Sequence, residues 1–218
     1  MKQQGKTVLR RARNQWWFLW VVIVTISLGW KYPLLGLTVP LVMFTGIVGS
    51  FIRGRYVCGN LCPRGAFLER LTPKLSANRK IPLFFQNMGF RIIALFTLMG
   101  LMMYRGLQNP SDPLHWGYVF WTLCVLTTII AVVLAVTIHP RTWCTFCPIG
   151  TMQNLIGGGK GQLLIDEEAC KECHLCEKVC AFNLAKAAHK ETGYLPDRDC
   201  LKCSECITVC PNDALQWP

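Results

Sequence analysis

The sequence is short of charge. Of its 218 residues only 12 are Asp or Glu and 23 are Lys or Arg, so charged residues make up 16% while hydrophobic residues reach 52%. A soluble domain carries about 25% charged residues, and the deficit points to lipid as a solvent and excludes intrinsic disorder. Catalytic signatures are missing too. No Ser-His-Asp set and no paired catalytic carboxylates stand out. Gly157-Gly-Gly-Lys-Gly161 is not a phosphate loop, because Gly161 stands where a Walker motif needs Ser or Thr. The net charge is +11, yet most basic residues precede residue 161, which excludes a uniformly basic nucleic-acid binder.

What the chain does have is long apolar runs. Trp16–Trp30, Leu34–Ile52, Met88–Tyr104 (with Arg91 near its start) and Tyr118–Ile138 are otherwise free of charge, the last over 21 residues. A bilayer core needs about 17–25 helical residues, so four crossings are predicted. Four buried helices of a soluble core would need far more polar surface to cover them. The first run is no signal peptide, since no small-residue cleavage site follows it. Lys2, Lys6, Arg10, Arg11 and Arg13 lie before it, and Arg53, Arg55, Arg64, Arg70, Lys74, Arg79 and Lys80 follow the second run; the opposite face has only Lys31 and Arg105. The positive-inside rule then places both termini in the cytoplasm, with the chain multi-pass in the inner (cytoplasmic) membrane. Trp16, Trp17 and Trp143 are expected at the inner interface, and Trp30, Tyr32, Trp116 and Tyr118 at the outer. The basic excess is thereby explained by topology and anionic lipid.

The membrane part repeats itself. The second run ends in Arg55-Tyr-Val-Cys58-Gly-Asn-Leu-Cys62-Pro63-Arg-Gly65 and the fourth in Arg141-Thr-Trp-Cys144-Thr-Phe-Cys147-Pro148-Ile-Gly150. Two hairpins, each followed by a Cys-Pro turn on the cytoplasmic face, are expected to be related by rotation about the membrane normal. The organisation reads as a basic cytoplasmic leader (1–15), a four-helix membrane domain (16–156), a flexible Gly-rich linker (157–162) and a soluble domain (163–218).

That last domain holds the strongest motif. Eight of 13 cysteines form Cys170-x2-Cys173-x2-Cys176-x3-Cys180 and, 30 residues on, Cys200-x2-Cys203-x2-Cys206-x3-Cys210-Pro211. Three thiolates at two-residue gaps wrap three corners of a 4Fe-4S cluster, and the fourth cysteine of each run serves the other cluster. One cluster takes Cys170, Cys173, Cys176 and Cys210; the other takes Cys200, Cys203, Cys206 and Cys180. Zinc knuckles have no use for the third and fourth cysteines, and disulfides conflict with a reducing cytoplasm.

Residues 163–218 resemble a bacterial two-cluster ferredoxin module, with Ala181 where that family often has Pro. From residue 16 to its end the chain resembles the NapH/NosR type of membrane polyferredoxin, in which transmembrane hairpins carry two Cys-x3-Cys-Pro motifs and a C-terminal ferredoxin module. Cys58 and Cys62 match the first motif; Cys144 and Cys147 match the second with one residue fewer. The resemblance implies an integral membrane all-α domain plus a small α+β ferredoxin-like domain. It also implies an electron-transfer subunit, often associated with quinol oxidation; because the chain shows no substrate enzyme of its own, a complex is expected in which another subunit holds the catalytic centre.

The two Cys-Pro turns admit three readings: a third cluster or metal site formed by Cys58, Cys62, Cys144 and Cys147, a thiol–disulfide relay, or tight turns with incidental thiols. Cys124, mid-helix, reads as a buried small hydrophobe. Arg91 is expected to snorkel to the headgroups, with a quinone carbonyl, Glu69 or a cluster as its functional alternative. His139 is a quinone or proton-transfer candidate, or a helix C-terminal cation. A bis-histidine haem is excluded, because His115 and His139 lie at opposite ends of one helix. His174, between two ligands, reads as tuning its surroundings. The expected function is electron exchange between the quinone pool and cytoplasmic-side clusters, with oxidoreductase subunits or soluble carriers as partners. The alternatives are a protein-to-protein relay without a quinone site and an assembly or redox-sensing iron–sulfur protein.

Overall fold

The computed structural model describes residues 2–218, with side chains from Val8 onward. Helix α1 (Lys2–Leu28) turns through a 3-10 segment (Pro33–Leu37) into α2 (Thr38–Arg53). Two short helices follow, α3 (Tyr56–Asn60) and α4 (Pro63–Leu71). After the single turn α5 (Leu83–Gln86) the pattern recurs as α6 (Met88–Gly106), α7 (Pro113–Thr137), α8 (Thr142–Phe146) and α9 (Pro148–Gly157). Local chemistry sets these starts. Pro63, Pro113 and Pro148 occupy first-turn positions that need no N–H. The Asn87 and Asp112 side chains accept from Gly89 N at 2.8 Å and Leu114 N at 2.9 Å, capping α6 and α7.

The two halves exchange their short helices. α4 packs on α1 of its own half and on α7 of the other, while α9 packs on α6 and crosses to α2. Polarity in the bundle is turned inside out. The buried face of α7 is Gly117, Val119, Cys124, Thr127, Thr128, Ala131 and Ala135. Phe44, Phe51, Ile93, Phe96, Ile129 and Val133 face outward. Small residues inside and large apolar residues outside are what helix packing in lipid favours.

Three segments, Pro33–Arg53, Met88–Gly106 and Pro113–Thr137, are long and apolar enough to cross a membrane. The fourth expected crossing is not among them, because α1 is one continuous helix whose first half carries Arg10, Arg11 and Arg13. The leader boundary at residue 15 therefore falls inside a helix. Trp143, expected at the interface, is instead buried and packs on Phe146 with ring centroids 4.9 Å apart.

The C-terminal module is built on an antiparallel pair, β1 (Leu164–Ile165) and β2 (Leu215–Gln216), with Leu164 opposite Gln216. Between them lie α10 (Leu175–Lys178) and α11 (Glu205–Thr208). The backbone repeats with the sequence: positive φ occurs at Glu172 and Lys202, His174 and Ser204, Asn183 and Asp213. Leu163, Ile165, Phe182, Leu195, Leu201, Ile207 and Leu215 form its core, which continues into Ile81 and Cys144 of the membrane part. The glycine segment read as a flexible linker is held at its start. Gly157 closes α9, and a side chain there would overlap the carbonyl oxygen of Ser50.

Candidate functional site

In the module, Cys170, Cys173, Cys176 and Cys210 line one cavity together with Lys186. Cys200, Cys203 and Cys206 each feel the charge of Cys180, so the second expected set also converges. Burial and these neighbours push the Cys200 thiol up to about 11, and Cys206 upward as well. Four thiolates so placed need compensating cations, and iron supplies them. Left-handed φ at Glu172 and His174, and again at Lys202 and Ser204, bends each Cys-x2-Cys-x2-Cys loop sharply, and backbone of this kind forms the N–H concavities found at iron–sulfur sites. Among the described residues no three His, Cys, Asp or Glu side chains close on a single ion. Cubane ligands bind separate irons and stand further apart, and four thiols in each set are the donor complement of a 4Fe-4S cluster.

The repeat brings Cys58, Cys62, Cys144 and Cys147 to the wall of one cavity. Each half braces the other there. Arg55, at the start of α3, donates from Nη2 to the Cys144 carbonyl at 2.6 Å; Arg141, at the start of α8, donates from Nη1 to the Cys58 carbonyl at 3.2 Å. Gly65 and Gly150 follow the Cys-Pro pairs because a Cβ at either would stand 2.6 Å from the opposing guanidinium. Burial raises the Cys58 and Cys62 thiols, and Arg55 pulls Cys58 partly back.

Each arginine is held by a carboxylate. Glu69 of α4 accepts from Arg141, from Arg11 at 2.6 and 2.7 Å, and from Gln15 at 2.8 Å. Burial alone would raise Glu69, but Arg141 and Arg11 hold it down to about 2. The matching position in the second half, counted from Gly65 and Gly150, is Asn154. There the carboxylate comes from the module: Asp199 accepts from Arg55 at 2.5 Å, from Arg91 at 2.7 and 3.0 Å, and from Asn154 at 2.7 Å. Burial works against its charge as well, and Arg55 and Arg91 outweigh it. Arg91 does not snorkel: it is 1% exposed and anchors the module from α6. A second tie joins Arg11 to Glu205 at 2.6 Å. Between the ties a Cβ on Gly59 would overlap the Leu201 carbonyl, so the loop between Cys58 and Cys62 touches the loop between Cys200 and Cys203.

Behind the four thiols opens an apolar cavity of about 1220 Å³, counting its open mouth, walled by α1, α2, α6 and α7. Arg64, Cys124 and Trp143 line it, but none of the earlier quinone candidates does. Glu69 and Arg91 are committed to ion pairs, and His139 accepts from Arg141 N at 3.1 Å through Nδ1. Burial and Arg141 press His139 below its ordinary value, against a partial pull from Glu69, which disfavours the helix-end cation among its two readings.

Comparison with known families points to iron–sulfur binding. Residues 35–82 and 118–165 each match the family described as "4Fe-4S binding domain", one Cys-Pro pair in each, and residues 169–215 match the "4Fe-4S dicluster domain". The chain carries ferredoxin-type 4Fe-4S domains. It is 29% identical over 177 residues to an uncharacterized protein of Methanocaldococcus jannaschii, MJ0749, covering 78% of this chain and 67% of that one. To a second uncharacterized protein of the same organism, MJ0750, it is 25% identical over 183 residues, covering 78% and 75%. No solved structure matches the chain. Iron–sulfur binding domains point to a role in electron transfer.

Sequence reasoning passed over several residues that shape these sites. Lys186 is 2% exposed, lines the first cavity, donates from Nζ to the Cys176 carbonyl at 3.3 Å, and feels the charge of Cys180, Cys206 and Cys200. It is a buried ammonium between the two cluster sets, and an isolated Lys gives no periodic signal to find it by. Arg55 and Arg141 were readable only as the first residues of the repeat, Arg55 also as a topology charge, although their equal spacing ahead of Cys58 and Cys144 was a signal.

Proposed function

We propose that the chain is a multi-pass membrane electron-transfer subunit of the NapH/NosR polyferredoxin type, exchanging electrons between the quinone pool and a partner on the cytoplasmic side. The observation that carries this reading is the contact of Gly59 with Leu201, which sets the four-cysteine site of the membrane part directly against the second cluster set. On this reading Cys58, Cys62, Cys144 and Cys147 hold a third cluster. Cys200, Cys203, Cys206 and Cys180 hold the next, and Cys170, Cys173, Cys176 and Cys210 the last. Bound 4Fe-4S clusters supply one-electron transfer, with potentials tuned by nearby charge and hydrogen bonds.

The chain's own residues have distinct parts in this. Arg55 and Arg141 offset thiolate charge at the membrane site, and Glu69 and Asp199 fix those guanidiniums in place. Gly59 permits the close approach of the module. Cys173 is exposed, with His174, Leu175 and Val179 exposed around it, and an oxidoreductase subunit or soluble carrier would dock there.

α1 is read as the fourth crossing. Trp121 Nε1 donates to the Ile26 carbonyl at 3.2 Å and Trp30 packs on Trp121, so the end of α1 lies beside the first turns of α7. Arg11 meanwhile stays level with Glu69 and Glu205. Gln15–Leu28 then spans about 21 Å, a short crossing. The Lys and Arg bias supports termini on the cytoplasmic side of the inner membrane.

The test uses the full chain, loaded with iron and sulfide under anaerobic conditions in lipid nanodiscs. It should hold about 12 irons, falling to about 8 in a Cys58→Ser, Cys144→Ser chain. After dithionite reduction and removal of excess reductant, a lipophilic naphthoquinone should restore the visible absorbance far faster in the wild type than in that variant. Equal rates would overturn the quinone link and leave an anchor for a protein-to-protein relay.

A further inference from the structure

The apolar cavity behind the four cysteines contains one cation that no carboxylate pairs. Arg11, Arg55, Arg91 and Arg141 are each paired with a carboxylate. Among the described residues, no carboxylate lies within ion-pair distance of Arg64. Its side chain leaves the first turn of α4 and runs into the bundle, reaching the middle of α7. There its only hydrogen-bond partners are the Cys124 carbonyl and Sγ, both at 3.5 Å, the far limit of a useful contact. The guanidinium lies over the ring of Trp143, 5.8 Å from its centroid. Trp143 is 4% exposed, lines the same cavity, and has an indole N–H with no acceptor. Its ionisable neighbours of opposite sign are the thiols of Cys124, Cys147 and Cys62; an ionisable side chain at membrane depth that no carboxylate pairs is costly and marks a binding function.

We infer that Arg64, with Trp143 beside it, is the head-group site for a lipophilic quinone that enters the cavity between α1, α2, α6 and α7. The inference rests on the quinone reading above and gives it a place. The walls fix the ligand's class. Val21, Val22, Val42, Leu98, Met99 and Met102 accept an isoprenoid-like tail and offer nothing to a soluble metabolite. The floor demands an acceptor oxygen, because both unsatisfied groups are donors: a guanidinium and an indole N–H. A ring carbonyl meets both, and it would lie beside Cys62 and Cys147, which border the same space. An acyl tail of a phospholipid would fill the walls but leave the donors unpaired.

The experiment titrates the fluorescent quinol analogue 2-heptyl-4-hydroxyquinoline N-oxide against the full, cluster-loaded chain in nanodiscs, reading quenching on binding. Losing a hydrogen bond from a charged donor weakens binding about 10- to 100-fold, which is the shift expected for Arg64→Leu; Arg64→Lys should fall between. Met102→Trp, which adds bulk to the cavity wall from α6, should abolish quenching. Iron content and visible spectrum equal to the wild type certify that each variant is folded. If the wild type binds and Arg64→Leu binds equally well, the Arg64 assignment falls and the quinone reading stands. If the wild type does not bind, both fall, and the cavity belongs to lipid tails.

Discussion

Asp199 is the residue whose loss should be felt furthest. Its carboxylate is the only anion paired with Arg55 and Arg91 among the described residues, and those side chains are 0% and 1% exposed. Asp199→Asn keeps the shape but leaves two buried guanidiniums without the carboxylate that pairs them. Breaking a buried pair by removing one partner costs about 3–5 kcal/mol. Here the cost falls on the seating of the module, because Asp199 lies on the module and both arginines on the membrane part. The population with the module lifted should therefore rise roughly 100- to 1,000-fold or more. Cleavage of the chain in nanodiscs by thermolysin in the 157–162 segment reads that population directly when opening and closing are fast. The two-fold relation of the halves adds a sharper expectation. Asn154 stands where Glu69 stands in the first half, so Asn154→Glu should supply the missing carboxylate to Arg55 and restore much of the protection. If Asp199→Asn is cleaved at the wild-type rate, the ion cluster does not hold the module down. If Asn154→Glu gives no recovery, the equivalence of the halves is wrong at this position.

Further expectations concern the other contacts. Gly59→Val should separate the module from the membrane part as thoroughly as Asp199→Asn, seen as the same rise in thermolysin cleavage; unchanged protection would refute the close approach. Glu69 has its carboxyl depressed from 4.5 to about 2, so its contribution is fully present above pH 4.5 and is lost as pH falls from there towards 2. At 1.36 kcal/mol per unit this amounts to about 3 kcal/mol at most. Thermal midpoints between pH 3 and 6 should fall more steeply for the wild type than for Glu69→Gln, and parallel curves would refute the assignment. Lys186→Met removes a positive charge between the two ligand sets and should lower the reduction potential of the module's clusters, measured by redox titration, while Lys186→Arg should not; no shift in either would place the ammonium outside their field.

The parts of this architecture that were readable from sequence are those written locally. The left-handed residues at intervals of 30 follow from the same short spacing that announced the eight module cysteines. The Cys-Pro repeat told that Cys58, Cys62, Cys144 and Cys147 belong together, because equal segments of two hairpins fold alike. Contacts between distant segments were out of reach. Arg55 meets Cys144 across 89 positions and Asp199 across 144, and nothing in periodicity or composition links them. The same blindness put Arg91 at the headgroups, made 157–162 a flexible linker from its first residue, and missed Arg64, whose meaning depends on which helix closes over it. α1 was misdivided for another reason. Hydropathy sees the change of solvent after Arg13, but the hydrogen bonds of a helix do not.

The two turns that carry the membrane cysteines are nearly twins, yet their outer faces are dressed differently. α3 lies bare against the Leu201 loop, whereas α8 is capped by α5, with Phe85 stacked on Phe146 at 5.3 Å and Phe90 closing in at 5.4 Å. Aromatic side chains there keep water and foreign redox molecules at arm's length, much as a sheath insulates one end of a wire. A scaffold with two matching turns is thus sheathed by aromatics at one of them, and on the electron-transfer reading proposed above the bare one, with Gly59, is where the Leu201 loop of the module comes closest.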